Sequence, residues 1–402
     1  MQQINTTNYE DFEHYFSGPQ QMIHFKILYF FLAGIFLLAG FAECAQSSTA
    51  PAHGSVFAFY RDIPGVTKEE IAAVEALRKQ FDSFVYADQY TTETFDDGSR
   101  QLKGFSALLC DWLTALFGIP FKPAIYEWGD QINGLSSHEI DFAGNLTATD
   151  ERLKTYYMTE AIAEHFIKYF RIMGSEDFST IEKSRPLRHA FLKGATTSAL
   201  VSPHISYPYE ALYIEDYKTA YHMLKSGEID AFFEEGIAEA AFDVYGDVVA
   251  TDFFPLIYGP VSLTTQNPDL EPIISIVQKA LQNGAIRHLT DLYNLGQQEY
   301  MKHKLFLRLT EEERAYINKH ISQGQPVSIA TEFDNYPVSF YNTQEKRWQG
   351  IAIDVLSEIE ALTGLDFKRP YAGERSWPEL LGMLERGEAA LISELIWSKE
   401  RD

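Results

Sequence analysis

Cysteine is almost absent from this 402-residue sequence, which contains only Cys44 and Cys110. Neither cysteine has a histidine or a second cysteine at metal-ligand spacing, so no disulfide framework, zinc site or other metal centre is expected. Basic residues are also scarce, because 33 Lys and Arg stand against 57 Asp and Glu and give a net charge of -24. Such an acidic chain is a poor partner for nucleic acids or anionic membrane surfaces. Nothing in the composition calls for a cofactor.

The first 45 residues lack a hydrophobic run of comfortable membrane-spanning length. Residues 27–42 carry no charge and follow Lys26, but a membrane span needs about 20 apolar residues. The run fits the apolar core of a signal peptide, slightly stretched, and small residues near its end offer cleavage sites. We expect residues 1–45 to direct export, with a retained membrane anchor as the alternative and Met22 as an alternative start.

A tandem repeat is the most informative feature that the sequence does contain. Two Thr-x-x-Glu capping boxes, at 67–70 and 310–313, each precede a helical pattern and a short apolar strand. A glycine then opens a second helix in each copy. Further pairs of residues recur in the same order, namely Gly104 and Gly350, Trp128 and Trp377, Glu139 and Glu388, and Arg152 and Arg401. Two unrelated α/β domains with similar caps are the alternative.

The two copies differ in length. The first continues through further strand–helix units to about residue 294, whereas the second stops at residue 402. We therefore predict a complete domain over 55–300, a linker helix over 301–325 and an incomplete second domain over 326–402. Half a domain would expose a sheet edge and a core face. We expect the reading frame to continue past the given sequence into the missing half and a membrane helix.

The first copy resembles the extracellular solute-binding proteins of family 3. The likeness is carried by Gly104-Phe-Ser, Leu135-Ser-Ser-His-Glu-Ile-Asp141, Asn145-Leu-Thr-Ala-Thr-Asp-Glu-Arg152, Lys193-Gly-Ala-Thr-Thr197 and Lys225-Ser-Gly-Glu-Ile-Asp-Ala-Phe-Phe-Glu-Glu235. The resemblance implies a two-lobed α/β domain of the Venus flytrap type, with lobe 1 at about 84–170 and 255–294 and lobe 2 at about 171–254. It also implies that a small ligand binds in the cleft between the lobes.

The repeated arrangement is similar to the sensory ectodomains of bacterial signalling proteins. That likeness implies an extracytoplasmic location and signalling output domains as partners. The alternative is the receptor of an amino-acid ABC transporter, with a permease as its partner. A dehydratase-type enzyme on the same fold would need an acid–base pair. Glu235 with His138 or His165 is a candidate pair, but the spacing carries no catalytic signature, and we expect no enzymatic activity.

The resemblance implies a carboxylate-binding site in lobe 1. Arg152 would hold a ligand carboxylate through the planar fork of its guanidinium group. Asn145 and Thr147 would complete the cradle. The alternatives are an ion pair between Arg152 and a neighbouring acidic residue, and simple loop capping by the two polar side chains.

Lobe 2 and the first strand supply the remaining candidates. Glu235 lies where the family usually has an aspartate that pairs with a ligand ammonium, and Thr196 matches a hydroxyl donor of the family. Tyr90 matches an aromatic residue that packs on the ligand. The sequence departs from the family pattern at three places, Glu235, Ala195 and Thr92-Glu93, so the ligand need not be a simple amino acid.

Overall fold

The computed structural model describes residues 57–98 and 101–396. The chain divides into two compact units, and the boundary lies between Arg308 and Leu309. The predicted leader at 1–45 and Arg401 lie outside the described residues. Within the described part of the chain, no helix combines the length and hydrophobicity that crossing a membrane requires.

The helices described in the first unit range from a single turn of 4 residues to 23 residues. They are α1 (Lys68–Gln80), α2 (Phe105–Phe117), α3 (Trp128–Ser137), α4 (Phe178–Ile181), α5 (Thr197–Val201), α6 (Tyr217–Ser226), α7 (Glu239–Asp243), α8 (Glu271–Ala280) and α9 (Ile286–Arg308). Thr67 caps α1 in a complete capping box, in which its backbone N–H donates to Glu70 over 2.7 Å.

Strands of the first unit form one mixed sheet and a small hairpin. They are β1 (Phe84–Asp88), β2 (Phe95–Asp96), β3 (Leu102–Lys103), β4 (Phe121–Ile125), β5 (Phe142–Leu146), β6 (Tyr157–Ile172), β7 (Leu187–Leu192), β8 (Tyr209–Ile214), β9 (Ala231–Glu235), β10 (Val248–Asp252) and β11 (Tyr258–Thr265). The sheet order is β4-β1-β5-β11-β6-β9-β7-β8, with β10 also paired to β6.

The long strand β6 passes through both halves of this sheet. Residues 157–166 pair with β11, whereas residues 167–170 pair with β9. We therefore assign residues up to 166 and from 258 to lobe 1, and residues 167–252 to lobe 2. The chain first crosses between the lobes after residue 166, where the pairing partner of β6 changes from β11 to β9. This position lies four residues before the predicted boundary at 170. These pairings confirm the predicted two-lobed α/β architecture.

Each lobe has three packed phenylalanine rings at its centre. In lobe 1, Phe84, Phe121 and Phe142 have ring centroids 5.2 to 5.4 Å apart. In lobe 2, Phe170 and Phe242 lie 4.8 Å apart, with Phe232 beside them. All five residues of β5 are buried, as expected for a strand covered on both faces. Both lobes therefore pack around their own section of the sheet.

Helix α9 contacts both lobes. Near its middle, Glu299 accepts a hydrogen bond from the backbone N–H of Gly104 in lobe 1, over 3.0 Å. One turn later, the buried Lys304 lies 2.9 Å from Asp243 and 3.0 Å from Glu239, both in α7 of lobe 2. Residues 301–325, predicted as one linker helix, belong to two helices, the end of α9 and a second helix over Glu311–Gln323. The first residues of the predicted linker belong to α9, because these ion pairs hold them to the first unit.

Gly296 in α9 lies where the helix backbone comes very close to the start of α2, and this approach leaves no room for a side chain. A Cβ at this position would lie 2.4 Å from the backbone nitrogen of Phe105 and 2.8 Å from its Cα. We expect Gly296→Ala to lower the free energy of unfolding by about 1–3 kcal/mol, because α9 must move away from α2. Denaturant unfolding of the full chain measures this change.

Gly129 in α3 provides the matched control, since a Cβ there would meet only a side-chain atom at 3.9 Å. Gly129→Ala should be neutral or stabilising by up to about 1 kcal/mol, because alanine favours the helix. Equal destabilisation by both substitutions would contradict the assigned contact.

The second unit is smaller and is described by itself. It contains α10 (Glu311–Gln323), α11 (Ile351–Thr363), α12 (Trp377–Glu385), β12 (Val327–Ala330), β13 (Asp334–Asn335), β14 (Ser339–Asn342), β15 (Arg347–Gln349), β16 (Phe367–Lys368) and β17 (Leu391–Ile392). Strand β12 lies between β16 and β17 and is parallel to both. The order β16-β12-β17 has the same form as β4-β1-β5 in the first unit.

The glycine before the second helix has a similar conformation in both units. Gly104 and Gly350 have φ angles of 96° and 121°, which favour glycine. A Cβ on Gly104 would lie 2.4 Å from the carbonyl oxygen of Glu93, and one on Gly350 would lie 2.5 Å from that of Val338. Only glycine fits this approach of the chain to the hairpin before it.

Candidate ligand-binding site

The two lobes meet at a small polar cavity of about 20 Å³. A space of this size holds about one water molecule. Lobe 1 contributes Gln89, Trp128, Asn145, Thr147 and Arg152, and lobe 2 contributes Leu192, Ala195, Thr196, Thr197, Tyr217, Glu234, Glu235 and Ile237. Five of the six predicted site residues, all except Tyr90, therefore line one cavity.

Hydrogen bonds join the lobes around this cavity. The indole N–H of Trp128 donates to the carbonyl oxygen of Lys193 over 2.9 Å. The backbone N–H of Thr92 donates to the carbonyl oxygen of Ile237 over 2.9 Å. The lobes are thus closed on each other.

Arg152 is the cation of the cavity. It begins a short 3-10 turn after β5, and its guanidinium donates to the carbonyl oxygens of Thr147 (3.0 Å) and Gly194 (3.2 Å). Burial lowers the pKa of Arg152 below its ordinary value. No carboxylate in the described part of the chain forms an ion pair with it, so the predicted alternative of a structural ion pair has no support. The remaining N–H donors of the guanidinium can take a carboxylate.

Asn145 is held in place by two neighbouring side chains. Its amide donates to Asp88 over 3.0 Å, and its carbonyl oxygen accepts from Gln131 over 2.5 Å. Asp88 also accepts from the Thr94 and Ser106 hydroxyls. Burial, and then repulsion from a nearby glutamate, raise the pKa of Asp88 to about 6. Asn145 therefore lines the cavity with its polar atoms already hydrogen-bonded.

The two threonines of the predicted site come from opposite lobes. The hydroxyl of Thr196 lies 3.5 Å from that of Thr147. Thr196 immediately precedes α5, so its hydroxyl is at the edge of lobe 2 that faces lobe 1. Both residues line the cavity together with Arg152, and a hydroxyl group can donate to a bound anion.

Glu235 forms part of a buried three-residue bridge. His165 of β6 places Nδ1 2.6 Å from Oε2 of Glu235 and Nε2 2.8 Å from Oε1 of Glu93. Burial alone would lower the pKa of His165, but the two carboxylates outweigh burial and raise it well above its ordinary value. The imidazolium form can donate to both carboxylates. His165 does not line the cavity, and the exposed His138 does not line it either.

Glu234 and Gln89 are cavity residues that the sequence analysis missed. Each is only 5% exposed. Oε2 of Glu234 and Nε2 of Gln89 have no hydrogen-bond partner among the described residues. Burial, and then the charge of Glu235, raise the pKa of Glu234 to about 8. The Glu234-Glu235 pair was visible in the sequence, but nothing in the pattern indicated which glutamate would be the less solvated.

Tyr90 does not line the cavity, and its contact with a ligand stays a prediction. The chain turns just after β1, where Thr91 and Thr94 form an isolated antiparallel bridge. This turn directs Tyr90 onto a cluster that contains Phe95 and Tyr300. The ring packs between the hairpin and α9 instead.

Two α/β lobes, linked by strand crossings and closed over a polar cavity, define a Venus flytrap binding domain. The family model of the bacterial extracellular solute-binding proteins, family 3, matches residues 84–295. Since this match covers more than half of the chain, the chain belongs to that family.

Solved structures to which the chain is similar include a substrate-binding protein and a periplasmic domain. The substrate-binding protein AbpA of an amino acid ABC transporter from Streptococcus pneumoniae, bound to L-arginine, is 15% identical with a TM-score of 0.47. The match covers 56% of this chain and 98% of AbpA. The periplasmic VFT2 domain of Bordetella pertussis BvgS is 17% identical with a TM-score of 0.46, over 56% of this chain and 97% of that domain. No match was found among curated proteins.

Proposed function

We propose that the first unit binds a small, amino-acid-like or carboxylate ligand between its lobes, outside the cytoplasm. We further propose that it acts as the ligand-sensing input of a bacterial signalling protein. Membership of the solute-binding family supports the first part. The contacts of α9 with both lobes support the sensing role.

The binding proposal rests on the partly buried guanidinium of Arg152, which forms no ion pair among the described residues. Its two observed hydrogen bonds go to backbone carbonyls, one from each lobe. A carboxylate that bound the remaining donors would therefore be held where the lobes meet. Such a ligand would favour a closed form wide enough to hold it, because its contacts from both lobes exist together only when the lobes are close.

Helix α9 supports the sensing role. Opening the lobes must separate Lys304 from Asp243 and Glu239, or it must move the end of α9. The chain continues from α9 directly into the second unit. Lobe movement would thus be transmitted to the segment that leaves the domain. The receptor of an amino-acid ABC transporter, which hands its ligand to a permease, remains the alternative proposal.

We also propose that the second unit begins a further solute-binding domain. The parallel order of β16-β12-β17 and the similar glycines before α2 and α11 support this proposal.

The acid–base pair considered for a dehydratase gains no support, since His165 is buried behind the cavity with both nitrogens hydrogen-bonded. We therefore retain a non-enzymatic binding role.

Thermal-shift screening of the full chain against amino acids and small carboxylates tests the binding proposal. Ligands should raise the melting temperature of the wild type. Arg152→Ala should weaken their binding at least about thirtyfold, because it removes the charged donor from a buried site. Titration calorimetry with each active ligand measures this loss.

Arg61→Ala is the matched control, since Arg61 pairs with Glu75 near α1 and does not line the cavity. It should leave ligand affinity unchanged. If ligands stabilise Arg152→Ala as strongly as they stabilise the control, the ligand does not bind at this site.

A further inference from the structure

The residues that line the cavity include charged groups of both signs. One cation and two carboxylates line it, namely Arg152, Glu234 and Glu235. This set suggests an ammonium site beside a carboxylate site. The contacts behind the lining oppose an ammonium site there, because Glu235 already pairs with His165 and Glu234 lies beside a second carboxylate.

Glu235 already has a cationic partner within the protein. Its Oε2 lies 2.6 Å from Nδ1 of His165, whose other nitrogen lies 2.8 Å from Glu93. The side chain of His165 is fully buried and that of Glu235 is 13% exposed, so water screens this pair only weakly. An ammonium group placed against Glu235 would compete with His165 and lie close to a second buried cation.

Glu234 offers no fixed negative charge either. It is buried beside Glu235, and its Oε1 accepts from the Thr197 hydroxyl (3.3 Å) and the Glu235 N–H (3.0 Å). Two ionised carboxylates this close in a buried site repel each other, which favours the neutral acid at Glu234. Its unpartnered Oε2 then provides an O–H donor at the cavity.

Among the charged residues that line the cavity, Arg152 is therefore the one without an ion pair. The uncharged groups there that lack partners are Oε2 of Glu234 and Nε2 of Gln89. When Glu234 is neutral, both of these groups can donate a hydrogen bond to an oxygen atom of the ligand. Neither of them carries the negative charge that would hold an ammonium group. The lining therefore complements an anion that carries a neutral oxygen substituent.

We propose that the cleft selects small 2-hydroxy or 2-oxo carboxylates over the matching 2-amino acids, and that His165 sets this selectivity by occupying Glu235. This inference rests on the proposed function, in which Arg152 holds the ligand carboxylate. It identifies the ligand class and assigns His165 as a positioning residue. His165 acts through Glu235 and does not touch the ligand.

Matched acids test the proposal with the wild-type full chain. Pyruvate, L-lactate and L-alanine share one carbon skeleton, as do 4-methyl-2-oxopentanoate, 2-hydroxy-4-methylpentanoate and L-leucine. Titration calorimetry should show the oxo or hydroxy acid of at least one set binding about tenfold or more tightly than its amino acid, because an extra buried ammonium has no free anion to pair with.

The possible outcomes separate the two proposals. An amino acid that binds as tightly as its matched acids, and loses affinity in Arg152→Ala, overturns the selectivity proposal and leaves the carboxylate site in place. If no member of either set binds, the selectivity proposal fails and the wider ligand screen decides the binding proposal. If binding is insensitive to Arg152→Ala, both proposals fail.

A variant of His165 tests the assigned residue. His165→Gln should free the Glu235 carboxylate and shift the ratio of amino acid to oxo acid affinity about tenfold toward the amino acid. Circular dichroism at low temperature checks that the variant is folded. An unchanged ratio in the folded variant would overturn the role of His165. If the variant does not fold, the wild-type comparison of matched acids decides the selectivity.

Discussion

His165→Gln is expected to lower the free energy of unfolding of the first unit by about 3–5 kcal/mol. The substitution removes the one cation that lies between Glu93 and Glu235 in the bridge, and it leaves two buried carboxylates facing a neutral side chain. Breaking a buried pair by removing one partner costs far more than the pair contributes, because an uncompensated buried charge remains. Denaturant unfolding of the full chain measures the change.

His189 in β7 supplies a control for this substitution. It is as buried as His165, but its contact within hydrogen-bonding distance is to a hydroxyl group, that of Tyr207 at 3.2 Å. Burial lowers the pKa of His189 to about 4, so it carries no charge at neutral pH. His189→Gln should change packing without exposing a buried charge, and it should destabilise less. Equal losses in the two variants would contradict the charge argument.

The contribution of His165 to the stability of the wild type should decrease as the pH rises. Because the pKa of His165 is raised on folding, its contribution is complete below its unfolded pKa of about 6.5 and is lost as the pH rises through the folded pKa. The difference in stability between wild type and His165→Gln should therefore shrink at alkaline pH. Other groups facing the bridge, Tyr293, Glu234 and Arg152, are retained in both proteins.

Lys304→Met is expected to loosen the closed arrangement of the lobes, at a cost of about 2 kcal/mol. Lys304 is 9% exposed and contacts both Glu239 and Asp243. Burial would raise the pKa of Glu239, but Lys304 and Lys168 lower it below its ordinary value. The cost stays below that of His165→Gln, because Lys168 still pairs with Glu239 and the Tyr300 hydroxyl still donates to Asp243 over 2.5 Å.

Hydrogen exchange gives a local measurement of this effect. The amide of Thr92 donates across the lobes to Ile237, so its protection reports closure. Lys304→Met should speed exchange at Thr92 by about tenfold or more. Lys302→Met, an exposed position on the same helix, should not. Unchanged protection of Thr92 in Lys304→Met would show that α9 does not hold the lobes together.

The parts of the fold that could be predicted from the sequence depend on local chemistry. A threonine and a glutamate three residues apart define the start of α1 through their own hydrogen bonds. A glycine before α2 is required because a Cβ would meet the carbonyl of Glu93. The family resemblance then supplied the two lobes, and the match over 84–295 confirms it.

The parts that could not be predicted depend on contacts between distant residues. Arg152 was found through its family context, but its partner Gly194 lies 42 residues away in the other lobe. His165 and Glu235 were considered together, but nothing in the sequence placed Glu93 on the opposite nitrogen. The extent of α9 also escaped prediction, because ion pairs with α7 rather than helix propensity tie residues 301–308 to the first unit.

The small volume between the lobes has a kinetic consequence. A space of about 20 Å³ is far smaller than a pocket that holds an organic ligand. Entry must therefore wait until the lobes separate. At high ligand concentration, the observed association rate would level off at the rate of opening. A mutation in the α9 contacts could then change how fast the protein responds without touching the ligand.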